Sequence, residues 1–260
     1  MSPSSSTVKY EIRDRVAWVT LNRPEAMNAL NSEMHQAIRE SFLEAAADDN
    51  VLVIILTGEG GKAFCAGVDL KEMSKKDSSG KITHKTIPDD DPVDDCPKPI
   101  IAAIDGFCLA GGFELTLRCD IRIATEKSRF GLPEPRRSIL AGYGLFHLSR
   151  MIPLGDAMWI QLTGSHMTAQ RAYDIGLLQT LVPNREALFT EAEHLANEIK
   201  MCAPLAVQAI KHIVKVGRNI PIEYMMELAK PISEQIDKTE DRLEGPKAFV
   251  EKRAPNWKMR

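Results

Sequence analysis

No run of about 18 apolar residues occurs in this 260-residue sequence, so it offers no transmembrane helix. The N-terminal stretch MSPSSSTVKYE has no apolar segment of the kind a secretion signal needs. Five cysteines (Cys65, Cys96, Cys108, Cys119, Cys202) make an odd number and include no CxxC pair. That usage fits reduced thiols better than a disulfide framework or a zinc site. A basic excess is missing as well: 33 Lys+Arg stand against 36 Asp+Glu, a net charge of −3. No global basic surface for nucleic acid follows from that balance. His35, His147, His166 and His212 show no ligand spacing to one another or to cysteine, so no metal is expected. The expectation is a cytoplasmic chain without a membrane or nucleic-acid partner.

What is present is an ordinary globular composition, 44% hydrophobic and 27% charged, enough for a sizeable core. The length suits one core with an appendage. VKYEI, a polar RDR turn and VAWVTL alternate as a β-hairpin does. NSEMHQAIRESFLEAA then places Met34, Ala37, Ile38 and Ala45 on one helical face, with Asn31 or Ser32 as N-cap. VLVIILT, IIAAID and IRIAT are short apolar runs suited to strands covered on both faces. Strand, glycine-rich turn, helix, strand is an α/β order. The polar stretch between Lys71 and Lys98 reads as a lid, a binding loop or a plain surface excursion. From Leu154 onward the pattern is mostly helical, and the apolar stripe beyond about Met201 needs a packing partner.

Two glycine turns carry the chemistry. GEGGKAFCAGVDL and DGFCLAGGFEL each end an apolar strand and lead into a helix start, where backbone N–H groups are unpaired. Two such N–H groups converging would make an oxyanion hole, each contributing about 3 kcal/mol to a transition state. Read singly, either is also an ordinary tight turn. Within the second lies Glu114, in an otherwise apolar run. Burying a lone carboxylate is costly, so it must meet water or a partner, or hold an unusual pKa. On its own Glu114 is also a first-turn residue favoured by the helix dipole, and Glu134 in LPEP an exposed loop glutamate.

KAFCAGVDLKEM and KPIIAAIDGFCLAGGFELTLRCDIRIA together resemble the paired signatures of the enoyl-CoA hydratase/isomerase (crotonase) family. LNRPEAMNAL, FGLPE, LTGSHMTAQRAYDIGLL and EGPKAFVEKRAPNWK extend the resemblance over nearly the whole chain, in order. The C-terminal pattern and GGFEL look most like carnitinyl-CoA dehydratase-like members. The resemblance implies a crotonase-type spiral of ββα units in residues 1–200, carrying the acyl-CoA site. It implies a helical region in residues 201–260 for oligomerisation and site closure, in a homotrimer or dimer of trimers. Carried over by position, the oxyanion N–H groups fall on Val68 and Gly111. Asp69, Leu70 and Lys71 continue the acyl-CoA-binding wall. Glu114 and Glu134 match the two catalytic glutamates of hydratases in fatty-acid and related CoA thioester metabolism. The implied activity is reversible addition of water to a 2-enoyl-CoA, with no metal or redox cofactor and CoA arriving as part of the substrate. The alternatives are a Δ-isomerase using one glutamate, and a catalytically silent CoA-thioester-binding homologue. Lys252, Arg253 and Lys258 could meet CoA phosphates or simply complement a helix end. Departures cluster after Glu134: Ser138 replaces a common glycine, Ala141 a proline, Tyr143 adds a phenol, and Arg136 and Arg137 are expected to point to solvent, though turned inward they would lower the Glu134 pKa.

Overall fold

The computed structural model describes residues 5–73 and 91–260. The polar stretch expected to act as a lid falls largely on residues 74–90, outside the described residues. The chain opens with the antiparallel hairpin of β1 (Val8–Arg13) and β2 (Val16–Leu21). Helix α1 (Ser32–Ala47) follows, its N-cap Asn31 accepting from the Met34 N–H at 2.9 Å. Met34, Ala37, Ile38 and Ala45 are buried, as the helical spacing predicts.

A repeating unit then builds two sheets at once. β3 (Val53–Gly58) is followed by the short strand β4 (Ala63–Cys65) and by α2 (Leu70–Met73). β5 (Ile100–Ile104), β6 (Phe107–Leu109) and α3 (Gly111–Arg118) repeat the pattern. β7 (Ile121–Thr125) and β8 (Arg129–Gly131) begin a third turn, which ends in a 3-10 turn at Glu134–Arg137. Next come α4 (Tyr143–Met151), α5 (Leu154–Thr163), β9 (Met167–Thr168), α6 (Ala169–Asp174), β10 (Thr180–Val182) and α7 (Arg185–Lys200). Three helices close the chain: α8 (Pro204–Gly217), α9 (Ile222–Ile236) and α10 (Asp241–Glu251).

The long strands form a six-stranded sheet in the order β1-β2-β3-β5-β7-β10, parallel beyond the first hairpin. The short ones form a second sheet, β4-β6-β8-β9. Each turn of the spiral therefore adds one strand to each sheet. Alternate residues of the large sheet serve different layers. Ile54, Leu56, Ile100, Ala102 and Ile104 join the core with Met34 and Phe42 of α1. Ile55, Ile101, Ala103 and Ile123 pack with Leu188, Ala192 and Ala196 of α7. Burial on both faces explains why these strands read as unbroken apolar runs. No helix among the described residues is long and apolar enough to cross a membrane.

Candidate active site

The LNRPEAMNAL segment shapes the first glycine turn. Asn28 is fully buried; its amide donates to Glu59 O and Ala63 O, and its oxygen accepts from the Arg23 N–H. Leu30 then pairs with the turn itself, donating to Gly67 O at 2.8 Å while accepting from Asp69 N at 2.9 Å. Val68 lies between those two bonds. Gly67 is at φ +98°, and a Cβ there would stand 2.5 Å from the Ala110 Cβ. Only glycine meets both conditions.

The second turn leaves β6 through Ala110, which takes the unusual φ of +51° for a non-glycine residue. Its N–H donates to Gly131 O at 2.9 Å, and its carbonyl accepts from Glu114 N at 2.9 Å. Local strain of order 1–3 kcal/mol is thus held by the surrounding sheet. The product is a helix start at Gly111 facing Val68: a Cβ on Gly111 would lie 3.9 Å from the Val68 nitrogen. Among the described residues neither the Val68 nor the Gly111 N–H meets a hydrogen-bond acceptor. Two adjacent, unpaired N–H groups on fixed backbone suit a developing oxyanion.

Glu114 sits in the first turn of α3, and its Oε1 accepts from the Gly144 N–H in the first turn of α4 at 2.8 Å. Gly144 permits that approach, since a Cβ there would stand 3.3 Å from the same oxygen and 2.9 Å from Leu132 Cδ1. Glu134 opens the 3-10 turn after β8 and is half-buried. Its Oε2 is buried without a hydrogen-bond partner. Desolvation pushes this carboxyl up to about 7; the Glu114 charge adds to the rise, while a backbone hydrogen bond and Arg137 pull it down. The result is a carboxyl poised between its two forms near neutral pH, within electrostatic reach of a second one.

The sequence signature of the enoyl-CoA hydratase/isomerase family matches residues 11–260. The (E)-benzylidenesuccinyl-CoA hydratase of Thauera aromatica is 39% identical over 96% of this chain and 98% of its own length. The carnitinyl-CoA dehydratase of Salmonella typhi is 34% identical, over 93% and 94%. The crystal structure of an enoyl-CoA hydratase from Mycobacterium tuberculosis H37Rv superimposes with a TM-score of 0.90 at 35% identity, covering 98% of this chain and 100% of that one. The chain belongs to the enoyl-CoA hydratase/isomerase family. It is a crotonase-fold enzyme, and the relatives named above are CoA-thioester hydratases or dehydratases.

Other expected residues of this crotonase-fold enzyme are placed as follows. The Asp69 carboxylate is taken up locally: partial burial acts to raise its pKa, but Arg23 at 3.1 Å and the Lys71 N–H at 3.1 Å hold it below the usual range. Leu70 and Lys71 are exposed beside the first turn. Ser138 has φ +56° and closes the 3-10 turn, a left-handed position that explains the usual glycine. Arg136 is turned away from Glu134, donating to Thr163 O and Ser165 Oγ. Cys65 and Cys108 are packing thiols, fully buried, with the Cys65 pKa pushed up to about 12 by desolvation. Trp159 and Met226 are 46% and 67% exposed. Arg253 is engaged by Glu244 and Glu251, and the backbone of Lys258 is bound by the buried Asp241, so both belong to a clasp that folds the C-terminal tail onto α10. Gly144 was not among the residues predicted for the site. No sequence signal marks it, because the uncapped start of α4 at Gly142 is itself not visible in the sequence.

Proposed function

We propose that the protein adds water reversibly across the 2,3-double bond of an enoyl-CoA through Glu114, Glu134 and the paired Val68 and Gly111 N–H groups. The observation that carries this reading is Glu134: half-buried, with one oxygen unpartnered, raised to about 7 and coupled to Glu114. A glutamate with only a structural role would not need that combination. In hydration the thioester oxygen accepts from the two N–H groups as negative charge builds on it. A water oxygen bonds to Cβ while its proton passes to Glu114, whose other oxygen stays anchored to Gly144. Glu134 gives its proton to Cα, and the enolate collapses to the saturated thioester. The proton then returns from Glu114 to Glu134 through solvent. Dehydration is the same path reversed.

The reading calls for no metal or redox cofactor, because protons move only among water, carbon and two carboxyls. Leu70, Lys71 and the turn around Asp69 are proposed to flank the bound acyl-CoA. A homotrimer or dimer of trimers in the cytoplasm completes the proposal. Its supports are the exposed apolar side chains of α9 and α10, among them Tyr224, Met226, Phe249 and Val250, and the free cysteines.

The test is the loss of enoyl-thioester absorbance over a panel of 2-enoyl-CoAs, with Glu114→Gln and Glu134→Gln beside wild type. Each variant is expected to lose at least about 100-fold in kcat. Turnover of a 3-enoyl-CoA to its 2-enoyl isomer without hydration would assign an isomerase instead.

A further inference from the structure

A buried cluster that the mechanism does not use lies next to the amide that holds Glu114. Tyr143 immediately precedes Gly144 and is 8% exposed. Its ring is enclosed on both faces: the Arg118 guanidinium lies 4.2 Å from the ring centroid, and the His147 imidazole stacks at 3.7 Å and 4°. Its hydroxyl donates to Asp94 Oδ1 at 3.1 Å, and burial with the nearby Asp94 charge keeps the phenol protonated. Lys215 of α8 fixes Asp94 in turn, at 2.9 Å.

Two further observations give the cluster a purpose. The N-cap of α4 is Gly142, with no side-chain cap, so tertiary contacts must hold that helix start in place. Arg118 also reaches the other partner, donating from Nη1 to the Glu114 carbonyl at 3.1 Å. A single guanidinium thus touches the backbone of the glutamate and the side chain preceding the amide that binds its carboxylate.

We propose that Tyr143 is a positioning residue for hydration: clamped between Arg118 and His147 and pinned to Asp94, it sets the first turn of α4 so that the Gly144 N–H aims Glu114 at the reacting water. The inference rests on the two-glutamate reading above. Plain core filling makes a different prediction, since loss of a filler lowers Tm and leaves kcat of the folded enzyme unchanged. Misplacing a reacting group by about 1 Å lowers a rate by about 100-fold, so a loosened helix start is visible in kcat.

Tyr143→Ala and Tyr143→Phe in the full chain test the point. Hydration kinetics are measured together with the Gly144 amide resonance of 15N-glycine-labelled protein, assigned by its loss in Gly144→Ser. Tyr143→Ala should lower kcat by about 10- to 100-fold with KM within about twofold, and Tyr143→Phe, which keeps the stacked ring but loses the bond to Asp94, should lower kcat by less than Tyr143→Ala does. The Gly144 amide proton should move upfield in Tyr143→Ala, in the same sense as in Glu114→Gln, where its charged acceptor is gone. Wild-type kcat in folded Tyr143→Ala, or an unmoved Gly144 resonance, overturns the proposal. Should Tyr143→Ala fail to fold, His147→Ala removes one face of the clamp and must lower kcat and shift the same resonance; no change in either overturns it. If wild type hydrates no enoyl-CoA, the catalytic reading fails separately, and the Gly144 resonance alone decides whether Tyr143 positions Glu114.

Discussion

Titrating Glu134 tests the acid–base assignment most directly. Its carboxyl rises from an ordinary 4.5 to about 7, chiefly through desolvation. About nine-tenths of it is then protonated at pH 6 and about one-tenth at pH 8. Hydration needs Glu134 protonated and Glu114 ionised, so the active form is the pair carrying one proton. Above pH 7 kcat/KM should fall with unit slope, by close to tenfold per pH unit once past the midpoint. Dehydration draws on the same singly protonated pair, with the proton on the other carboxyl. Substrate and product carry the same CoA group, so the equilibrium constant does not vary with pH. The kcat/KM profiles of the two directions must therefore coincide. Initial rates from pH 5.5 to 9, followed at the enoyl-thioester absorbance in both directions, measure this. A flat profile between pH 6 and 8.5 would refute the assignment. So would a limb near 7 that persists unchanged in Glu134→Gln, or two directions with different limbs.

The same raised carboxyl weakens the fold. Between pH 4.5 and 7 the folded chain binds more protons at Glu134 than the unfolded chain does, so stability is full below the lower value and falls as pH rises through the upper one. The full shift corresponds to about 3 kcal/mol, which solvent access to the half-buried group reduces to about 2 kcal/mol. Glu134→Gln should accordingly be more stable than wild type at pH 8 and no more stable at pH 4.5, as denaturant midpoints at the two values will reveal. Gly144→Ala should fold with a somewhat lowered Tm, because its Cβ, 2.9 Å from the buried Leu132 Cδ1, forces a shift whose cost of about 1–3 kcal/mol outweighs a helix gain of up to about 1 kcal/mol. The same Cβ, 3.3 Å from Glu114 Oε1, should lower kcat by about tenfold; unchanged kcat would remove Gly144 from the mechanism.

Local pattern carried much of this molecule. The hairpin, α1 with its Asn31 cap, β3, β5 and β7 are each legible from apolar spacing, because one element satisfies its own backbone and presents one or two faces. The second sheet was not legible: β4, β6 and β8 are three residues each and β9 is two, too short for any period to register. Helix α4 was hidden for a related reason, since its uncapped start at Gly142 carries no local signal.

The site divides along the same line. The family resemblance singled out Glu114, Glu134, Val68 and Gly111, since its motifs stand in order along the chain. Their environment was decided elsewhere. Glu114 is held by an amide 30 residues away, and Asp69 is taken up by an arginine 46 residues before it. In the sequence Tyr143 is only an added phenol after Glu134, yet packing places it between Arg118 and His147, behind the helix start that binds Glu114. Residue identity sets what a group can do. Only the folded chain sets which water, charge or amide it meets, because desolvation and hydrogen bonding act across space and not along the sequence.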